Sequence, residues 1–374
     1  MSQDFHASPT MNSPWLKLEA ELEELKSRLP APANSLNAKQ IAEHVLKLSD
    51  FYIHSPSSSS PWHEPWARNA LFSYFHPLNL TRVFAAGERG RHLGFFSGLD
   101  HLYDLGSGSG AAAQALSLHH NWKSLELRDV SSAILEFAVK ISQLPTHTRT
   151  TSARLEVRPP QLANPETSLA VLANVLTENT ELPAWVFDLE ALMIVEPSTR
   201  EDSRRLQARR EELFAQGFHI WAPCPHAKPC PLLRDERDWC HDAIDYPAPS
   251  WWSDLESHLP MKNSRLTYSY LLARKSSPPV SQNSLQLRVV GDVLAEKGKS
   301  RALSCFDGER AFLSWFPQRR KAAEPNWCRG DLLAWPSDPN SFEKRGQEDR
   351  LEYRIAEADF PLLSKLPDKS ESDR

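Results

Sequence analysis

The sequence has no uninterrupted apolar run long enough to cross a bilayer, which excludes a helical membrane protein. Met1 to Ser13 is polar and lacks a hydrophobic signal core, so export is not expected and the chain is read as cytoplasmic. Cysteine is scarce, with five in 374 residues; in such a chain they are ligands or reduced thiols and not a disulfide framework. Excess positive charge is missing as well. A net charge of −5 excludes nucleic-acid binding through a uniformly basic surface. No internal repeat is present.

What is there begins with segregated charge. Met261 to Gly330 holds 13 Lys and Arg against 5 Asp and Glu, whereas Asp331 to Arg374 holds 11 acids and 7 bases. A basic segment inside an acidic chain points to an anionic partner, or else to a solvated surface. Four stretches follow from the text: residues 1–62, N-terminal helices and a Ser-rich linker; 63–221, an α/β domain; 222–330, a Cys-rich and β-rich segment; and 331–374, an acidic tail.

Ser13-Pro14 has the form of a helix start, and Trp15, Leu18, Leu22, Leu25 and Leu29 then recur at steps of three and four. That stripe docks a partner or packs on its own domain. A second helix is expected from about Ala38 to Leu48, and a third from Pro65 to Phe75. Beyond Leu102, strand-like stretches at 102–105, 125–128, 155–157, 169–173 and 192–195 alternate with helical ones at 111–118, 133–142 and 203–216. Alternation of this kind predicts a doubly wound α/β sheet. Short strands are expected again at 285–293, 301–306 and 311–316.

The first strand ends in Asp104-Leu105-Gly106-Ser107-Gly108-Ser109-Gly110. The spacing is GxGxG, where dinucleotide binders use GxGxxG to cradle a pyrophosphate. S-adenosylmethionine has no phosphate, and a loop of this kind wraps its methionine and ribose portions; Asp104 suits the amino group. About 20 residues on, Leu125-Glu126-Leu127-Arg128 reads as the next strand, ending at Asp129, the acid that would hold both ribose hydroxyls. Two features at the right separation favour S-adenosylmethionine over NAD and predict a Rossmann-like fold of the class I methyltransferase type.

Catalysis is a separate question. Asn174-Val175-Leu176-Thr177-Glu178 stands where many amine methyltransferases carry an Asn-Pro-Pro-aromatic turn, and no cysteine precedes Cys224 to serve as a cytosine-C5 nucleophile. No catalytic residue is assigned. Arg204, Arg205, Arg209 and Arg210 are interleaved with Glu201, Asp202, Glu211 and Glu212, which reads as a solvated helix face.

Cys224, Cys230 and Cys240 lie at C-x5-C-x9-C, flanked by prolines and by His226 and His241. A metal centre is the reading. Cys305 as fourth ligand would give four sulfurs and suit an iron–sulfur cluster, whereas His226 or His241 would give a mixed set suited to zinc; Cys328 is a weaker fourth ligand.

These motifs together resemble a known family. YDLGSGSG at 103–110, VLANVLTE at 171–178, MIVEPSTREDSRRLQARREEL at 193–213, APCPHAKPCPL at 222–232 and WCH at 239–241 are similar to the Rsm-twenty-two-like small-ribosomal-subunit proteins. Mitochondrial members are methyltransferase-like ribosome assembly factors; this chain resembles a bacterial-type member. The resemblance runs from about Tyr74 to Gly330. It implies a 4Fe–4S cluster on Cys224, Cys230, Cys240 and Cys305, and an S-adenosylmethionine site at Asp104, Gly106, Gly108, Gly110 and Asp129. It also implies binding to the small ribosomal subunit or its rRNA, either as an rRNA methyltransferase or as a non-catalytic assembly factor. In the catalytic case Arg319, Arg320 and Lys321 would meet phosphates. Oligomeric state is not legible.

Overall fold

The computed structural model describes residues 14–29, 33–54, 60–279, 286–316, 327–335, 342–346, 351–355 and 362–364. Two sheets organise them. Among these residues no helix is long and apolar enough to cross a membrane.

Helix α1, Pro14–Arg28, buries Leu18, Leu22 and Leu25, and Trp15 meets Phe84 edge-on at 4.8 Å. The apolar stripe therefore packs on its own chain. Helix α2, Ala38–His54, starts with a reciprocal cap: the Gln40 amide donates to Asn37 Oδ1 (2.9 Å) and the Asn37 amide to Gln40 Oε1 (3.1 Å). The helix expected to stop at Phe75 runs on. Helix α3, Pro65–Ala70, passes through a π turn at Leu71–Phe75 into α4, His76–Leu93. It ends at Gly94, whose φ of 75° only glycine takes readily.

The first sheet contains β1 (His101–Leu105), β2 (Ser124–Asp129), β3 (Arg149–Ser152), β4 (Ser168–Ala173), β5 (Ala191–Glu196), β6 (His219–Ala222), β7 (Asp242–Asp245) and β8 (Arg265–Arg274). Its order is β3-β2-β1-β4-β5-β8-β6, with β7 paired to β8. Strands β1 to β5 are parallel, and β8 runs antiparallel to both β5 and β6. Helices α5 (Ala111–Ser117), α6 (Ser132–Ile141) and α7 (Arg200–Ala215) make the crossovers, and α8 (Trp252–Ser257) precedes β8. Strand β5 is buried at every position, as a strand covered on both faces must be.

Three expectations are corrected. Residues 155–157 form a turn, and the strand in that place is β3. Its sequence, Arg-Thr-Thr-Ser, is polar because β3 is an exposed edge strand. The α/β part does not end at residue 221, since β8 returns to it from far downstream with Leu266, Tyr268 and Leu272 in the core. The segment after 331 is not only a charged tail either. It supplies β13 (Leu332–Ala334), β14 (Phe342–Arg345), β15 (Glu352–Ile355) and β16 (Leu362–Ser364) to the second sheet.

That sheet also holds β9 (Gln286–Val289), β10 (Leu294–Glu296), β11 (Lys299–Phe306) and β12 (Glu309–Trp315), in the order β14-β15-β12-β11-β9-β13-β16 with β10 on β11. Asp307 and Gly308, at φ 44° and 80°, form the two-residue turn that joins β11 to β12. Buried charge ties the sheets together: Arg288 of β9 pairs with Asp242 of β7, and Arg89 of α4 donates to the Gly330 carbonyl at 2.7 Å.

Candidate functional site

The carboxyl ends of β1, β2, β4 and β5 share one edge of the first sheet, where ligands of open α/β sheets bind. The loop leaving β1 places Gly106, Gly108 and Gly110 at φ 67°, 48° and 76°. A Cβ on Gly106 would stand 2.8 Å from Val175 Cγ2, so glycine there meets both a backbone and a space requirement. The amides of Gly106 and Ser107 donate to the Arg128 carbonyl at 2.8 and 3.0 Å, pinning the loop to the end of β2.

Two predicted acids flank this loop. Asp104 is 1% exposed and accepts from the Ala113 amide at 3.0 Å, anchoring the start of α5. Burial pushes its carboxyl up to about 7, against the Ala113 amide, and the charge of Asp129 adds to the rise. Asp129 accepts from the Gly108 amide through Oδ2 and from the Ser131 amide through Oδ1, each at 2.9 Å. Burial raises it despite those amides.

The loop after β4 forms the third wall. Asn174 takes φ 59°, and the amides of Val175 and Leu176 both donate to Glu196 Oε1, at 3.0 and 2.9 Å. Glu196 is 1% exposed, burial lifts it to about 7 against those two amides, and its Oε2 is buried with no hydrogen-bond partner among the described residues. Glu178, farther along, is raised by burial and by Asp129. A cleft of about 820 Å³ opens beside Glu178, lined by Leu155, Glu156, Leu182, Trp185 and Asp188 among others.

Tyr52 of α2 was not read from the sequence as part of this site. Its hydroxyl lies 3.3 Å from Ser60 Oγ, and burial pushes it up to about 12, with Ser60 opposing and the charges of Glu178 and Asp129 adding. The N-terminal helices are also fastened behind the glycine loop, since Gln114 of α5 donates to Glu21 Oε2 and its Oε1 faces His76 Nε2, both at 2.9 Å. No local motif announces either contact.

Three of the four cysteines predicted as metal ligands are gathered in one place. Cys230, Cys240 and Cys305 share a buried cluster with Leu232 and Val290, and all five cysteines are free. Burial pushes the Cys230 thiol up to about 12 and Cys240 up to about 11; the charge of Cys224 adds to both. Cys305 is raised well above the usual thiol range by burial and then by Cys224, Cys230 and Cys240, so all four lie within electrostatic reach of one another. Buried cations offset them: Arg210 Nε donates to Cys224 Sγ at 3.2 Å, and Arg288 lowers Cys240. His226 Nε2 stands 3.2 Å from Cys305 Sγ, and burial and then Arg210 depress that imidazole to about 4. Among the described residues no group of three or more His, Cys, Asp or Glu side chains is placed to hold a metal ion. The Cys328 amide donates to Asp331 Oδ2 at 2.8 Å.

The solvated face expected on α7 is corrected. Arg204 donates to the carbonyls of Leu232, Leu233, Asp235 and Asp238. Arg210 has no solvent exposure and also holds the carbonyls of His226 and Lys228, at 2.8 Å each. Arg205 faces the other way and donates to the Leu176 carbonyl at 3.0 Å. The carbonyls of the proline-stiffened cysteine loops have few partners of their own, and arginine forks satisfy several of them at once.

The basic segment is partly used up by the fold, because Arg274, Arg288, Lys299, Arg301, Arg310 and Arg329 each sit in an ion pair. Arg319, Arg320 and Lys321 lie outside the described residues.

The strand order, the reversed strand between β5 and β6, and a glycine loop flanked by acids ending the first two strands define a class I methyltransferase fold. The chain belongs to the family described as mitochondrial small ribosomal subunit Rsm22, whose profile matches residues 96–316, more than half its length. A search of curated proteins finds no match.

Solved structures with some likeness include magnesium protoporphyrin IX methyltransferase from Synechocystis with bound S-adenosylmethionine: 12% identity, TM-score 0.33, covering 62% of this chain and 97% of that one. Precorrin-6y C5,15-methyltransferase from Geobacter metallireducens gives 14% identity and TM-score 0.32, covering 50% and 87%. TrmK from M. capricolum, bound to S-adenosylhomocysteine, gives 10% and 0.29, covering 48% and 64%. At such scores the alignments carry no functional inference.

Proposed function

We propose that this chain binds S-adenosylmethionine at the glycine loop and acts on the small ribosomal subunit or its rRNA, with an iron–sulfur cluster on Cys224, Cys230, Cys240 and Cys305. One observation carries the cofactor reading. Asp104 and Asp129 flank the glycine loop, Glu178 is near enough to Asp129 to be raised by it, and the Gly108 amide is already given to Asp129. A site of that sign repels a pyrophosphate and suits a ligand bearing a sulfonium and an ammonium. Bound there, the cofactor would supply an electrophilic methyl group. Asp129 would hold its ribose, Asp104 and the three glycines would enclose the methionine portion, and the close packing of Gly106 on Val175 would hold the two loops in register.

The donor set fits the cluster. Four thiolates around an iron–sulfur core bring net negative charge into a buried place, which Arg210 and Arg288 offset. A core of several atoms also spaces its cysteines farther apart than a tetrahedral zinc ion does. An all-sulfur donor set, three of whose thiols share one buried cluster, suits iron–sulfur chemistry. Partnership with the small subunit follows the family description.

A second reading, a non-catalytic assembly factor, is favoured by one feature. The loop after β4 carries Asn174-Val175-Leu176 in place of an Asn-Pro-Pro turn, and its Val175 and Leu176 amides are committed to Glu196.

Calorimetry with S-adenosylmethionine and S-adenosylhomocysteine on metal-replete protein tests the cofactor site. Binding is expected for the native chain, with a loss of about tenfold or more in Asp129→Ala. No heat for either ligand would overturn the reading. Labelled methyl transfer to small-subunit rRNA from a deletion strain then separates enzyme from assembly factor. Anaerobic purification should give brown protein with iron and acid-labile sulfide; a colourless product with one zinc would refute the cluster.

A further inference from the structure

Trp239 is the one exposed indole among the described residues. Trp62, Trp122, Trp185, Trp221, Trp252 and Trp315 are each under a tenth exposed, whereas Trp239 is 36% exposed and is the one aromatic among the exposed large apolar side chains described. Its ring is held. His241 stacks on one face, with centroids 5.7 Å apart and planes 19° apart, and Nε1 donates to the Ser198 carbonyl at 2.9 Å. A flat aromatic surface fixed in this way loses little side-chain freedom when a second ring covers its open face.

Its place in the fold matters as much. Ser198 follows the carboxyl end of β5, so the stack stands on the sheet edge that carries the glycine loop, Asp129 and Asn174. In the sheet order β5 lies two strands from β1, an offset of about 10 Å at the usual strand spacing.

Ion pairs fringe the two rings. Arg329 Nη1 lies 3.5 Å from His241 Nδ1, Arg265 stands 4.0 Å from Asp292, and the Arg237 side chain is 86% exposed. Asp292 pairs with Arg329 at 3.2 Å, Asp235 with Arg237 at 3.1 Å, Asp238 with Arg310 and Asp242 with Arg288. Of the cations in these pairs, Arg237 and Arg265 keep side chains 86% and 50% exposed, outward enough to meet a phosphate.

We infer that the Trp239–His241 stack is the docking platform for an unpaired RNA base beside the proposed cofactor site, with Arg237 and Arg265 meeting the neighbouring phosphates. The inference rests on the RNA reading of the proposed function and assigns it a surface. Base stacking on an aromatic face is tolerant of sequence and demands a single strand, because a duplex hides its base faces. The platform therefore accepts a loop or a strand end and refuses a helix.

The test uses the full-length, metal-replete protein with a fluorescein-labelled, unstructured oligoribonucleotide and its duplex, read by anisotropy. Trp239→Ala should weaken single-strand binding roughly 5- to 50-fold and leave duplex binding unchanged, while Trp239→Phe stays within about threefold of native. Metal content and thermal midpoint should match the native protein in both. Because Trp239 adjoins Cys240, ultraviolet crosslinking of the native protein supplies a readout free of substitution. An RNA adduct on the peptide carrying Trp239 supports the platform. Adducts confined to other peptides, or native single-strand affinity in Trp239→Ala, overturn it and leave the RNA reading standing. If the native protein binds no RNA at all, that reading falls as well.

Discussion

Arg210 Nε donates to Cys224 Sγ across 3.2 Å from a guanidinium with no solvent exposure. The same side chain holds the carbonyls of His226 and Lys228, so one buried cation fixes both the charge and the course of the loop between Cys224 and Cys230. One turn away on α7, Arg205 holds the Leu176 carbonyl of the loop after β4.

Replacing Arg210 therefore strikes the cysteine site first. Arg210→Met should lower unfolding free energy by about 3 kcal/mol, since several buried acceptors lose their partner together. Iron and zinc content should fall with it. Arg210→Lys should restore little, because an ammonium cannot reproduce the fork. Full metal content in Arg210→Met would contradict this role.

Glycine positions with similar φ should respond very differently. Gly106→Ala meets Val175 at 2.8 Å on top of a φ of 67°, and is expected to abolish cofactor binding and cost about 3 kcal/mol. Gly98→Ala has a φ of 75° and nothing within 4 Å, and should cost about 1 kcal/mol with cofactor binding intact. Urea unfolding and calorimetry on both variants check the contrast.

Glu196 gives a pH signature with a defined sign. Its folded value is lifted by burial to about 7, above the unfolded 4.5, so its contribution is fully present below the unfolded value and is lost as pH rises through 7. His76 and His119, depressed by burial to about 4, work the other way: their contribution is lost as pH falls from 6.5 through 4. The difference between native protein and Glu196→Gln isolates the acid. Glutamine accepts from the same two amides, so the variant should gain stability on the native chain as pH rises from 4.5 to 7, by about 2 to 3 kcal/mol in all. Parallel melting curves across that range would show that Glu196 titrates normally.

The pair that joins the sheets should be asymmetric to mutation. Asp242→Ala leaves Arg288 buried without its carboxylate and should cost about 3 to 5 kcal/mol. Adding Arg288→Met removes the stranded charge and should recover part of that loss. A double variant as unstable as the single one would show that the guanidinium finds other partners.

How much of this was legible depends on how local the signal is. Asp104, the three glycines and Asp129 announced themselves because strand, turn and following acid are written within 26 residues, 104 to 129. Three cysteines were read from close spacing, and Cys305 from its place on a strand. Strand β8 was not read: Arg265 to Arg274 carries no mark of inserting between β5 and β6, and only the completed sheet selects that slot. Glu196 looked like part of a motif without a task, because the amides it holds lie some 20 residues upstream. Arg204 and Arg210 misled for a simple reason. Interleaved acids make a helix look wet, but the carbonyls that claim those arginines come from loops that composition alone cannot fold.

The cysteine site draws three of its sulfurs from loops around the first sheet and the fourth from β11 in the second. During synthesis Cys224, Cys230 and Cys240 leave the ribosome well before Cys305, and Arg288 emerges to meet Asp242 only in between. The proposed four-sulfur centre could not close on a half-made or truncated chain, so iron held there would certify that translation has passed β11 and that both sheets have met.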